Sequence, residues 1–170
     1  MPILNEIAVT LAREEDAPRI VSFLSAPEVD KSFLYPLSRR NISISERVYS
    51  KFPSGFWLVA LYQGEIVGCR GCNGLVDEKD KVVEFSTTAV SPLFQGIGLG
   101  NLLVRRGVEI ALERYTPLTM RFDSWANNLP IERIALKNGF VKTRIFDDPL
   151  KRPPGMQSVE YLLDCSKFRH

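Results

Sequence analysis

Histidine is nearly missing from this chain: one in 170 residues, His170 at the very end. A histidine base is excluded unless the C-terminus folds back into a site, and an imidazole metal cage cannot be built. Cysteine is scarce as well, with three. Cys69 and Cys72 have CxxC spacing but fall in a predicted strand, where residues three apart point to opposite faces. With only Cys165 besides, no four-ligand zinc site can form, so these read as reduced structural residues and no metal is expected. An excess of charge of one sign is absent too: 22 basic residues face 20 acidic ones. No basic run or aromatic-interleaved cationic stripe occurs, so nucleic acid is not an expected partner despite a pI near 8.5. The longest apolar stretch, Phe56 to Tyr62, falls far short of the ~20 residues of a membrane span, and no cleavable signal pattern is visible at the start. No membrane partner and a cytoplasmic location are the expectations.

What is present suits a globular enzyme. With 45% apolar and 25% charged residues, the chain can bury one substantial core, and residues 1–170 read as a single domain. Ile7 to Ala12 alternates as a strand, and Glu14 to Leu24 reads as a helix with acids in its first turn. Pro27 to Asn41 reads as irregular. A helix over Ile44 to Lys51 precedes Pro53, and a hairpin of Phe56 to Tyr62 with Glu65 to Leu75 turns at Gln63-Gly64. After the turn at Asp77 to Asp80, Val82 to Val90 is β-rich and Ser91-Pro92 ends it. A long amphipathic helix follows from about Gly98 to Arg114. Thr119 to Trp125 reads as a strand, Asn128 to Asn138 as a short helix ended by Gly139, and Phe140 to Phe146 and Gln157 to Leu163 as closing strands.

The sharpest local signal is Gln95-Gly96-Ile97-Gly98-Leu99-Gly100-Asn101, between the strand ending at Val90 and the long helix. Glycines alternating with apolar residues open left-handed backbone conformations and clear side chains from one surface. The helix that follows begins with unpaired N–H groups at the positive end of its dipole, so the natural ligand is a phosphate. Two common phosphate motifs fail here. A P-loop needs Lys followed by Ser or Thr after its last glycine, where this chain has Asn101-Leu102, and the dinucleotide fingerprint finds Asn101 or Leu103 at its sixth position.

What remains, Gln-x-x-Gly-x-Gly between strand and helix, resembles the pyrophosphate signature of the GCN5-related N-acetyltransferases. A second segment agrees: Asn128 opening a helix that ends in Gly139-Phe140 resembles that family's second motif. The resemblance implies an α/β fold with a mixed, mostly antiparallel central sheet flanked by helices, its fourth and fifth strands splayed to hold a pantetheine arm. It implies acetyl-CoA as cofactor and an amine, on a small molecule or peptide, as acceptor, with a homodimer left open. By the same resemblance Gln95, Gly96, Ile97, Gly98, Leu99, Gly100 and Asn101 bind the diphosphate. Thr88, Ala89 and Val90 grip the arm, the Thr88 amide serves the oxyanion, and Asn128 hydrogen-bonds the arm.

An amine with a pKa around 10.4 arrives protonated and must lose a proton before it attacks. Glu84 and Asp123 stand in the strands where relatives place a carboxylate base; either has the bland alternative of a solvated or ion-paired acid. One departure stands out. Many relatives have a tyrosine four residues before the glycine of Gly-Phe, to protonate the leaving thiolate, and this chain has Ala135 there. Tyr115 and Tyr161 are the candidate substitutes. For the acceptor, the resemblance implies an entrance between the first two helices and the last hairpin, here Phe33 to Arg40 and Asp147 to Gly155; Phe33 and Tyr35 suggest an apolar lining, and Arg39 with Arg40 suits a carboxylate. Two other readings stay open: an acyl-CoA-binding regulatory or interaction module with little catalysis, which Ala135 favours, and another α/β nucleotide binder using the same turn.

Overall fold

The chain folds around a seven-stranded sheet, seen in a computed structural model that describes residues 2–168; His170 lies outside them. Strand β1 (Ala8–Leu11) leads to helix α1 (Ala17–Ser25), short helix α2 (Pro27–Asp30) and helix α3 (Ile44–Tyr49). Strands β2 (Phe56–Tyr62), β3 (Glu65–Asp77) and β4 (Val82–Val90) follow. Then come helix α4 (Leu99–Tyr115), strand β5 (Thr119–Trp125), helix α5 (Leu129–Lys137), and strands β6 (Val141–Asp147) and β7 (Gln157–Asp164). The strand order is β1-β2-β3-β4-β5-β7-β6, antiparallel throughout except for the parallel β4–β5 pair.

Alternation along β2 shows how the sheet divides two cores. Phe56, Leu58 and Ala60 join the apolar cluster under α4 and α5, while Trp57 and Val59 join the one under α1 to α3. Such a strand, buried on both faces, reads as a continuous apolar run rather than an alternating one. Cys69 and Cys72 fall on opposite cores as their spacing predicts, and all three cysteines are buried. The hairpin turn also matches its sequence, with Gln63 and Gly64 both at positive φ.

Two helical readings needed correction. Glu14 to Asp16 is a 3-10 turn and the α-helix starts at Ala17, because Pro18 has no N–H to donate to the Glu14 carbonyl. The Pro27 to Asn41 segment is not wholly irregular: it holds α2 and a 3-10 turn at Leu37–Arg39. Pro27, at the first helical position, has its φ preset for such a start.

The feature that makes a site is where the sheet comes apart. Pairing between β4 and β5 is confined to Val82–Thr119, Val83–Met120 and Glu84–Arg121, after which each strand runs on without the other. Opposite Arg70 to Cys72 of β3, β4 spends an extra residue between Phe85 and Thr88. A bulge of this kind bends its strand and re-aims the backbone beside it.

Candidate active site

The parted strands open a cleft of about 1130 Å³. Its walls are β4 from Glu84 to Val90, β5 from Phe122 to Trp125, the glycine-rich turn, and the start of α5. The far end is closed by the segment around Phe33 to Arg40, by α3, and by Lys151 and Arg152.

At the turn, Gly96 and Gly98 lie at φ +80° and +92°, a region that disfavours any Cβ. Gly98 is the N-cap of α4 and no side chain caps that end. Among the described residues, nothing accepts a hydrogen bond from the amides of Gly96, Ile97, Gly98, Leu99, Gly100 or Asn101. Gly96 and Gly98 are exposed, and a Cβ on Gly96 would meet open space. These unsatisfied donors, free of side-chain cover and at a positive helix end, fit a diphosphate. Ile97 is the exception in this stretch: it does not line the cleft, and its side chain packs on the core. The Asn101 side chain is occupied too, its Oδ1 accepting from Asn138 Nδ2 at 2.9 Å and tying α4 to α5.

Thr88, Ala89 and Val90 line the cleft from β4. Thr88 Oγ1 accepts at 2.6 Å from Nη1 of Arg70, a residue only 1% exposed. Arg70 stacks over Phe85, has no acidic partner, and leaves its Nε and Nη2 unbonded. Burial pulls its guanidinium down to about 10. The hydroxyls of Ser86 and Thr87, within the bulge, are also buried without partners at the cleft wall. Asn128 lines the cleft but also caps α5: its Oδ1 accepts from Ile131 N–H at 3.4 Å and its Nδ2 donates to Ser124 Oγ at 3.1 Å. Gly139, at φ +85°, ends that helix as its sequence suggests.

Both candidate carboxylates face the cleft, and their surroundings differ. Glu84 is held at both oxygens, by Asn73 Nδ2 at 2.7 Å and Arg121 Nε at 2.9 Å. Asp123 accepts from Lys151 Nζ at 2.7 Å through Oδ2, leaving Oδ1 without a partner among the described residues. Its partner is therefore a loop lysine, not Arg121 or Arg70.

Neither substitute tyrosine reaches this space. Tyr161 stacks on Phe122, and burial, with the Glu132 charge, pushes its phenol up to about 12; Tyr115 donates to the Ser54 carbonyl at 2.8 Å outside the cleft. Ala135 is itself fully buried in the core beneath α5. Tyr35 is the tyrosine that lines the cleft, and its hydroxyl donates to the Arg39 carbonyl.

At the end of the cleft away from the glycine turn, Phe33 and Tyr35 line the wall, while Arg39 is exposed and outside the lining. The inward guanidinium is that of Arg40, fixed by Nε and Nη2 donating to the Tyr35 carbonyl and lying over the Phe33 ring. A 3-10 turn at Leu37–Arg39 sets this swap, because tighter winding moves each side chain about 120° from the last. Sequence reasoning missed Arg47, Lys51 and Arg152, which join Arg40 in the cleft. The four-residue spacing of Arg47 and Lys51 within the helix expected over Ile44 to Lys51 was the available signal, although α3 ends at Tyr49 and Lys51 lies in the turn after it. Among the described residues no group of three His, Cys, Asp or Glu is arranged to hold a metal, and no helix is long and apolar enough to cross a membrane.

Comparison with known proteins accords with this geometry. The Acetyltransferase (GNAT) family profile matches residues 12–140, and the chain belongs to that family, whose acyl donor is acetyl-CoA. The fold is shared with the yncA protein of Salmonella typhimurium, solved with its cofactor acetyl-CoA (TM-score 0.75, 20% identity, 96% of each chain covered). It is shared also with the ribosomal-protein-S18-alanine N-acetyltransferase of Escherichia coli (TM-score 0.70, 13% identity, 93% of each chain). A spermidine N-acetyltransferase chimera from Vibrio cholerae and hSSAT has the same fold (TM-score 0.74, 13% identity, 96% of this chain and 98% of the other). In sequence, the chain is 31% identical over 83 residues to N-acetylaspartate synthetase of Xenopus tropicalis, a match covering 48% of this chain and 30% of that protein.

Proposed function

We propose that this protein transfers an acetyl group from acetyl-CoA to a primary amine of a small molecule or peptide, by direct attack with both substrates bound and a carboxylate as base. The observation that carries the reading is the row of unbonded main-chain amides from Gly96 to Asn101, opening on the same cleft as a carboxylate with a free oxygen. Bound acetyl-CoA supplies an activated thioester. The chain does the rest.

The turn's amides hold the diphosphate, and the parted edge of β4 receives the arm. The Thr88 main-chain N–H donates to the carbonyl oxygen as charge develops there, an interaction worth more in a dry site than in water. Asp123 Oδ1 takes the proton from the acceptor's ammonium, directly or through one water, so that the nitrogen can attack. Geometry thus favours Asp123 over Glu84, whose oxygens already accept from Asn73 and Arg121. Glu84 anchors the fork of the sheet. No tyrosine stands in α5 to protonate the departing sulfur; a thiol near pKa 8.5 leaves tolerably as thiolate and is protonated by water.

Ala135 favours a second reading, an acyl-CoA-binding module with little catalysis. Thiol release measured with acetyl-CoA and a panel of amines separates the two. Release that depends on acceptor and falls with Asp123→Asn supports the enzyme. Tight acetyl-CoA binding by calorimetry, with no release for any amine, supports the module.

A further inference from the structure

The acceptor end of the cleft carries more positive charge than the protein itself neutralises. Arg40, Arg47, Lys51 and Arg152 all line it, and among the described residues none of the four is in an ion pair. The four acids that act on these cations are already engaged elsewhere, Glu84 with Arg121, Asp123 and Asp148 with Lys151, and Asp30 with Ser38. The four cations also feel one another. Arg47 and Arg152 both depress Arg40, and Arg47 depresses Lys51.

Three of these side chains are partly withdrawn from solvent without gaining an acidic partner among the described residues. Lys51 is only 8% exposed, and among the described residues no hydrogen bond or ion pair holds its ammonium, whose tip meets the open space of the cleft. Burial and its cationic neighbours pull it down to about 8. The Nε atoms of Arg47 and Arg152 are buried and unbonded. Buried donors without acceptors cost stability, and an unpaired buried charge costs more. Groups kept in that state at the wall of a cleft are waiting for an acceptor from outside.

We infer that the acceptor is a small primary amine carrying two or more carboxylates, whose acidic groups are held by Arg40, Arg47, Lys51 and Arg152 while its nitrogen faces Asp123. This rests on the acetyl-transfer reading above and deepens it. Guanidinium forks match carboxylates in two-point geometry, and a compact ammonium adds a third point of charge. A polyamine is excluded by the same count, since the cleft has no free acid to receive a second ammonium beyond Asp123 Oδ1. The spermidine N-acetyltransferase chimera shares the fold with this chain at 13% identity, and a shared fold does not carry its acceptor over.

The test compares acetyl-CoA-dependent thiol release with aspartate and glutamate, with glycine, with an uncharged-tail amine, and with spermidine. The expected order of kcat/KM is dicarboxylate, then monocarboxylate, then the rest, with about tenfold or more between steps. Lys51→Met and Arg152→Met each raise KM for the best dicarboxylate about tenfold, with kcat changed far less and acetyl-CoA affinity kept. Succinate, which has no amine, supplies a readout independent of turnover: it binds the wild type by calorimetry and binds Lys51→Met about tenfold more weakly. Succinate binding of that kind supports the cationic subsite even if no amine is acetylated, an outcome that would fail the acetyl-transfer reading alone. Turnover of spermidine or the uncharged amine at rates equal to the dicarboxylates, without succinate binding, keeps the acetyl-transfer reading and overturns this inference.

Discussion

The two ends of the cleft bind anions by opposite means. At the turn from Gly96 to Asn101 the donors are main-chain amides with no charged side chain among them, whereas at the far end they are four cationic side chains from three separate segments. A main-chain site is fixed by backbone conformation and costs little to leave empty, since solvent reaches its amides. A side-chain site of half-buried cations costs more when empty, because water solvates the charge less well there. The first therefore tolerates changes of side chain and fails when its glycines are changed. The second should respond in the reverse way.

The largest effect expected is at the turn. Gly98→Val places a branched Cβ at φ +92°, where a non-glycine residue is strained by roughly 1–3 kcal/mol. Relieving that strain turns the amides away, so acetyl-CoA affinity drops by at least about 100-fold in calorimetry. Gly100→Val crowds Ile134 at 3.3 Å without a positive φ and should do less. Normal affinity in both variants would contradict close approach of the main chain.

Next comes the base. Asp123→Asn lowers kcat on the order of 100-fold, while Glu84→Gln lowers it less, because general base catalysis needs a free carboxylate oxygen. A larger loss at Glu84 would reverse the assignment made from geometry.

Lys51 sharpens the comparison through stability. Its ammonium ionises in the fold at about 8 against 10.5 when unfolded, so between those values the unfolded chain binds more protons and wild-type stability rises with pH. Below about pH 8 the full cost is present, up to roughly 3 kcal/mol. Lys51→Met should therefore be the more stable protein at neutral pH in urea unfolding, with the gap closing as pH approaches 10.5. A variant that is less stable at every pH would show that Lys51 is satisfied in the fold. The smallest effect is at Thr88: Thr88→Ala keeps the main-chain N–H and removes only the acceptor for Arg70. Activity changes by a few-fold, with a stability loss of about 1–3 kcal/mol from the orphaned guanidinium group.

The same contrast explains what the sequence disclosed. Main-chain sites are written locally: Gly96, Gly98 and Gly100 sit within five residues, and their spacing between strand and helix was enough to locate the turn. The apolar run of β2, the β-rich stretch of β4, the Gln63-Gly64 hairpin and the Asn128 and Gly139 helix ends were legible for the same reason. The cationic end was legible only in the four-residue spacing of Arg47 and Lys51, because Arg40 and Arg152 join them through tertiary packing. Even Arg39 and Arg40, adjacent and chemically equal, could not be told apart until the 3-10 turn at Leu37–Arg39 decided which one faces the cleft. The partners of Glu84 and Asp123 were likewise hidden: Arg121 is on a neighbouring strand and Lys151 in a distant loop.

The central claim is that bare peptide nitrogens of one turn hold the diphosphate of acetyl-CoA. An amide NMR titration reads those nitrogens directly. The account predicts that the amide signals of Gly96, Gly98, Leu99 and Gly100 move most on saturation with acetyl-CoA. Saturable binding that leaves those signals in place would contradict it.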